Sequence, residues 1–168
     1  MTVPSFFVHL INNIKEYQKA GFEVELISSE EEYGSYLAQH HGFKLHYINI
    51  PREISPKQDI TTLWKLYKRF REQKYDIVHS GTPKAGLLCA IAGLLARVPV
   101  RIQTFTRPRW ATLQGKLRKL LKFLDTLVIK LNTRCYADSP SQIQFLVDQG
   151  VASKKELFCL NKDRKSVV

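Results

Sequence analysis

The sequence predicts an α/β protein built on a mostly parallel sheet with helices on both faces. Three observations carry this. Short apolar runs rich in Ile, Val, Phe and Tyr alternate with segments of helical periodicity along nearly the whole chain. Glycine or proline punctuates most of the junctions. No repeat, low-complexity tract or internal linker interrupts the alternation, and 168 residues suffice for one domain with its own core.

Taken in order, residues 6–20 read as a helix with Leu10, Ile11, Ile14 and Tyr17 on one face, and Gly21 stops it. Residues 22–29 form a strand, residues 30–41 a polar helix ended by Gly42, and residues 44–50 a strand with Leu45, Tyr47 and Ile50 turned inward. Asp59 is expected to N-cap a helix whose stripe is Leu63, Leu66, Tyr67 and Phe70. A strand at 76–80, a helix at 84–96 and a strand at 100–106 follow, then a loop, "RPRWATLQG". A long helix runs to about Asn132, with Leu117, Leu120, Leu121, Leu124, Leu127, Val128 and Leu131 expected in the core. A strand at 134–139, a helix with Pro140 in its first turn and a short strand, "ELFCL", complete the series. The chain opens on a helix, where a doubly wound sheet normally opens on its central strand. "MTVPS" reads as the loop that follows such a strand.

Charge is the distinctive bulk property. The formal net charge is +11. Between Asp76 and Asp125 no acid occurs, while Lys84, Arg97, Arg101, Arg107, Arg109, Lys116, Arg118, Lys119 and Lys122 do. Such a block fits an anionic partner, whether phosphate groups, an anionic membrane surface or nucleic acid, or else a solvated face that keeps the protein soluble. Nucleic acid is disfavoured, since no recognisable binding motif accompanies the charge. Cys89, Cys135 and Cys159 form neither a CxxC pair nor a zinc spacing, and an odd, scattered set reads as reduced and cytoplasmic. The apolar run 85–96 falls short of the roughly 20 residues that cross a bilayer.

Parallel α/β sheets bind ligands beyond the carboxyl ends of their strands. Four loops therefore matter: "TVPS", "SGTPKAG", "TFTRPRW" and "DSPSQ". In the second, Ser80, Gly81, Thr82 and Gly86 leave the backbone approachable, Lys84 adds charge, and the following helix start attracts anions. His79 lies beside it and is the one histidine retained as a ligand-contacting candidate. The loop also reads as a turn that needs glycine for geometry alone. It is neither a P-loop nor a GxGxxG fingerprint, and no metal-ligand spacing or Ser/His/Asp order is present. Lys116, Arg118, Lys119 and Lys122 crowd the first turns of the long helix, where positive charge opposes the dipole by roughly 0.3–1 kcal/mol each. An anionic lipid surface would offset that.

The segments "YDIVHSGTPKAGLLCAIAGLLARVPVRIQTFT", "WAT" and "ADSPSQIQFLVDQGV" resemble the N-terminal half of family-4 retaining glycosyltransferases of the GT-B fold, of the bacterial surface-polysaccharide type. The resemblance implies one Rossmann-like half of a two-domain enzyme. Residues 1–160 would be the acceptor-side domain with its first strand missing, and residues 161–168 a tail outside the family pattern. The donor-binding domain, with its glutamates, would be absent. It further implies a nucleotide-diphosphate sugar as co-substrate, no separate cofactor or metal, and a lipid-linked saccharide acceptor. The cleft-lining residues would be Pro4, His79, Gly81, Thr82, Lys84, Thr106 and Ser139, with Arg107 and Arg109 on acceptor phosphates; no catalytic base is assigned. Gly81 and Arg107 depart from the family pattern, which carries histidine at the first position and glycine at the second. The expectation is a truncated enzyme, inactive alone unless a separate donor-domain polypeptide completes it, cytoplasmic and peripheral on the inner face of the membrane. The alternative is a non-catalytic basic module for anionic membrane or lipid phosphate.

Overall fold

The computed structural model describes residues 11, 14–29, 42, 44–51 and 55–159. The chain divides into two units, residues 1–65 and 66–168.

In the first unit, residues 14–19 are helical and the turn at 20–21 ends them, with Gly21 at φ +88°. This positive φ is why glycine follows the helix. Ile11 and Ile14 bury against Val24, Leu26 and Leu45. Strand β1 (Glu25–Ser28) pairs in parallel with β2 (Lys44–Tyr47), Leu26 standing opposite Leu45. Both strands are shorter than the sequence suggests. Beyond β2 the ladder gives way to a side-chain bond, Ser29 Oγ accepting from Ile50 N–H at 3.0 Å. Ile48 and Ile50 are buried, whereas Tyr47, expected inward, is exposed. The predicted polar helix at 30–41 lies outside the described residues.

Helix α1 (Pro56–Gln73) starts one turn earlier than expected. Asp59 is therefore not its N-cap but a first-turn acid, and its Oδ2 accepts the N–H of Ser55 at 3.2 Å. The predicted stripe holds, with Leu66 and Phe70 fully buried.

The second unit carries four parallel strands in sequential order: β3 (Ile77–Ser80), β4 (Val100–Phe105), β5 (Arg134–Ala137) and β6 (Leu157–Cys159). Helices α2 (Pro83–Leu95), α3 (Gly115–Leu131) and α4 (Pro140–Asp148) make the crossovers that parallel pairing requires. A 3-10 turn, Arg109–Thr112, precedes α3. The core gathers Phe105, Trp110, Val128, Ile129, Cys135, Leu146, Val151 and Leu157. Burying one such side chain contributes about 1.5–3 kcal/mol. Two expectations for α3 fail here. Leu117 and Leu120 are each 47% exposed, and the buried stripe is Asp125, Val128 and Ile129. Asp125 faces inward and accepts from Trp110, Leu120 lies toward the opposite side of the helix, and Leu117 is exposed although it shares the helix face of Val128.

Candidate functional site at the carboxyl ends of the strands

Because β3, β4 and β5 are parallel, the loops after them open at one end of the sheet. The last residue of β3, Ser80, is buried, and its hydroxyl donates to Gln103 Oε1 at 2.7 Å. Gln103 is 1% exposed and donates through Nε2 to the carbonyl of Thr104 at 2.8 Å. A polar side chain this deep must have its hydrogen bonds made, and here both ends are held. Gly86 of α2 lies directly over it: a Cβ at that position would stand 2.4 Å from Gln103 Oε1. The glycine thus brings the first turn of α2 onto the β3–β4 ladder.

His79 extends from β3 on the strand face opposite Ser80. Its Nε2 and the hydroxyl of Thr104 on β4 are 2.8 Å apart. The residue is exposed, yet the protein around the ring lowers its pKa by desolvation. Its accessibility limits that effect but does not reverse its direction. The imidazole is therefore neutral at neutral pH, one nitrogen engaged with Thr104 and the other able to meet a ligand hydroxyl.

Gly81 and Thr82 lead into α2. Thr82 is the N-cap in extended conformation, makes no side-chain cap bond, and is followed by Pro83. The positive end of the helix is thus left without a side-chain acceptor from its cap. Lys84 sits half-buried in this first turn. Past β4, the carbonyl of Thr106 accepts from Gln142 Nε2 at 2.7 Å, while Gln142 Oε1 accepts from Asp138 N–H at 2.8 Å. One side chain on α4 so ties the loop after β4 to the loop after β5. Arg107 and Arg109 are exposed on that tied loop, and neither makes an ion pair with a described residue. Ser139 caps α4, its hydroxyl accepting from Gln142 N–H at 3.2 Å and sharing a bond with Ser141. Pro4 lies outside the described residues.

Among the described residues, no group of three or more His, Cys, Asp or Glu could hold a metal ion. What the end of the sheet offers is a neutral imidazole, hydroxyls, a helix start without a side-chain cap, and the exposed cations Arg107 and Arg109. This set suits sugar hydroxyls and phosphate oxygens.

The model of the glycosyl transferase 4-like domain matches residues 8–159. The chain belongs to that family. This glycosyl transferase 4-like domain is 28% identical over 160 residues to the capsular polysaccharide biosynthesis glycosyltransferase CapM of Staphylococcus aureus, covering 95% of the chain and 41% of CapM. It is 38% identical over 84 residues to the UDP-Gal:alpha-D-GlcNAc-diphosphoundecaprenol alpha-1,3-galactosyltransferase of Escherichia coli, covering 49% of the chain and 22% of that enzyme. Among solved structures, MurG of Acinetobacter baumannii superposes with a TM-score of 0.61 at 13% identity, over 97% of the chain and 43% of MurG. UDP-N-acetylglucosamine 2-epimerase of Rickettsia bellii does so with a TM-score of 0.56 at 13% identity, over 80% of the chain and 36% of the epimerase. These likenesses establish the Rossmann-like α/β fold. The chain spans less than half the length of each of these proteins.

Thr104, Gln103 and Gln142 are the residues of the glycosyl transferase 4-like domain that sequence reading passes over. Gln103 had a signal: a polar residue amid "VRIQTFT" must be paired if it faces inward. Thr104 and Gln142 had none, because the partners that bring them to the site, His79 and the Thr106 carbonyl, are distant in sequence.

Proposed function

We propose that the chain is the acceptor-side domain of a glycosyltransferase that moves a sugar from a nucleotide diphosphate to a saccharide carried on a lipid diphosphate, in polysaccharide assembly. The observation that carries this is the His79–Thr104 pair set beside the uncapped start of α2 at the carboxyl ends of β3 and β4. The family of the chain and the lipid-diphosphate acceptor named for one relative support it. In the transfer, the bond from the anomeric carbon to the donor phosphate breaks, the acceptor oxygen takes that carbon, and its proton leaves with the nucleoside diphosphate. His79, Thr82 and Thr106 would hold acceptor hydroxyls, and Gly81 would let the sugar approach the backbone. Lys84, Arg107 and Arg109 would meet the diphosphate, and Pro4 and Ser139 would border the cleft. No residue is assigned as catalytic base.

The grip on the nucleotide sugar would fall to a second domain, in keeping with the 41% of CapM that the chain covers. The chain would sit peripherally on the inner face of the cell membrane, where donor and lipid-linked acceptor meet. The test is titration of the purified chain with a saccharide diphosphate on a short soluble lipid, and separately with UDP-sugars, by calorimetry. Binding of the first, weakened by Arg107→Ala with Arg109→Ala, and no heat from the second, is the expected result. Binding of UDP-sugar without the acceptor analogue overturns the acceptor-side assignment. Sugar transfer by the chain alone overturns the division of labour.

A further inference from the structure

The loop after β4 is held at both ends by one helix. At its start, the Thr106 carbonyl accepts from Gln142 Nε2 at 2.7 Å. At its far end, the Trp110 ring stacks on Phe145, with centres 5.4 Å apart. Gln142 and Phe145 are three residues apart on α4 and so are neighbours on its surface. Between the two anchors lie Arg107, Pro108 and Arg109. Pro108 and Trp110 are buried, whereas Arg107 and Arg109 are exposed, so both cations stand on the outer side of the span. Pro108 is extended, at φ −63° and ψ 124°. Its ring fixes that φ and holds Arg107 before it away from helical conformations.

The Gln142 carboxamide is fixed from its other end as well. Its Oε1 accepts the N–H of Asp138, in the loop after β5, at 2.8 Å. Its backbone N–H donates to Oγ of Ser139, the cap of α4, at 3.2 Å. Two loops therefore share one side chain, its donor end on one and its acceptor end on the other.

We infer that Gln142 is a positioning residue for the diphosphate of the acceptor, acting through Arg107 and Arg109, which it sets as a pair before any ligand arrives. This rests on the acceptor-side reading above and adds the residue that governs how well the phosphates are held. Two cations close together, with no acid from Asp76 to Asp125, repel each other, and a diphosphate brings two adjacent anionic groups against them. A free loop would have to be ordered at the moment of binding, and that ordering lowers affinity. Here it is completed on folding. Trp110 is fixed by the core whatever happens at Thr106, being stacked on Phe145 and bonded to Asp125. Losing Gln142 thus frees the arginine end of the loop and leaves the tryptophan end in place.

The test is calorimetry on the whole chain with the saccharide diphosphate on a short soluble lipid, and with the same saccharide lacking its diphosphate. Gln142→Met keeps the length of the side chain and removes both of its hydrogen bonds. It is expected to weaken the diphosphate ligand by about 3- to 10-fold and to leave the plain saccharide unchanged. In a chain already carrying Arg107→Ala and Arg109→Ala the same change should have no further effect, because the residues it acts through are gone. Gln142→Glu retains an acceptor for Asp138 N–H, presents no donor to Thr106 when ionised, and should reproduce the loss. Hydrogen exchange at the Arg107 and Arg109 amides should quicken in both variants and hold at Leu146. Equal losses in the two backgrounds, equal losses for the two ligands, or exchange that quickens as much at Leu146 would make Gln142 a structural residue of α4 and overturn the inference. Unchanged diphosphate affinity in both variants overturns it too. The acceptor-side reading survives each of these results as long as the arginine pair itself weakens the diphosphate ligand. If that pair has no effect, the phosphate assignment falls and the inference falls with it.

Discussion

Gly86 is placed so that a Cβ would fall 2.4 Å from Gln103 Oε1 and 2.8 Å from its Cδ. The carboxamide cannot swing away, because Ser80 donates to its oxygen and its nitrogen donates to the Thr104 carbonyl. Gly86→Ala therefore forces α2 off the sheet or breaks a buried hydrogen bond, and should destabilise the chain by about 1–3 kcal/mol in urea unfolding. In a Gln103→Ala background the same change should cost clearly less, since the obstructing atoms are gone. Equal costs in the two backgrounds would show that the contact is not the cause.

The Trp110–Asp125 bond makes a pH prediction. Trp110 Nε1 donates to Asp125 Oδ2 at 2.7 Å, and Trp110 stacks on Phe145 with ring centres 5.4 Å apart. Burial raises the pKa of Asp125 above its ordinary 3.8, and the indole hydrogen bond offsets part of the rise. The folded state thus binds the proton more tightly than the unfolded state. That contribution is present below pH 3.8 and is lost as pH rises through the raised folded value. Measured against Asp125→Asn, the natural chain should lose relative stability over that window and level off above it. Asp125→Ala, which leaves the buried indole N–H unpaired, should cost about 1–3 kcal/mol below pH 3.8, and the cost should narrow as pH rises through the same window.

His79 gives the opposite slope. Desolvation lowers its pKa below 6.5, so the unfolded state binds the proton more readily. Stability relative to His79→Gln should rise as pH climbs from the depressed folded value to 6.5, then level off. Thr104→Val removes the hydroxyl from the pair and should weaken binding of the acceptor analogue by roughly 3- to 10-fold, the range expected for one lost neutral hydrogen bond. Unchanged affinity at unchanged fold would remove His79 and Thr104 from the acceptor site.

How much of this was legible in the sequence depends on the range of the interactions. Strand and helix order was readable because periodicity is local: Leu66 and Phe70 are buried as the stripe of α1 requires. The "SGTPKAG" loop was readable because glycine and proline mark a tight strand-to-helix turn. The inward position of Asp125 on α3 was not. Leu117 and Leu120 fit a core stripe as well as Val128 does, and only the long-range demand of the Trp110 indole for an acceptor turns Asp125 inward. Likewise, nothing near Thr106 announces that Gln142 will bind its carbonyl. Asp59 was misplaced because an acid within a first turn can reach back to the chain before it, as it does to Ser55, and mimic a cap in sequence.

The basic block, uniform in sequence, divides in the structure, and this yields the sharpest contrast. Arg101 is a fastener: its Nε donates to the Leu131 carbonyl at 2.9 Å and its guanidinium to the Val98 carbonyl at 2.6 Å. It closes the C-terminal end of α3, where a cation also complements the dipole, and its stem packs under Gly93. Arg101→Ala should destabilise by about 1–3 kcal/mol, because two partly buried carbonyls lose their donors together. Arg107→Ala, at an exposed position with no such partner, should change stability by no more than about 0.5 kcal/mol. Affinity for the acceptor analogue should sort them the other way, falling with Arg107→Ala and, at a temperature where both variants are folded, holding with Arg101→Ala. Thermal melts and calorimetry on the two variants check both halves. Were Arg107→Ala to bind the diphosphate as well as the natural chain does, the loop after β4 would lose its assignment to acceptor phosphates.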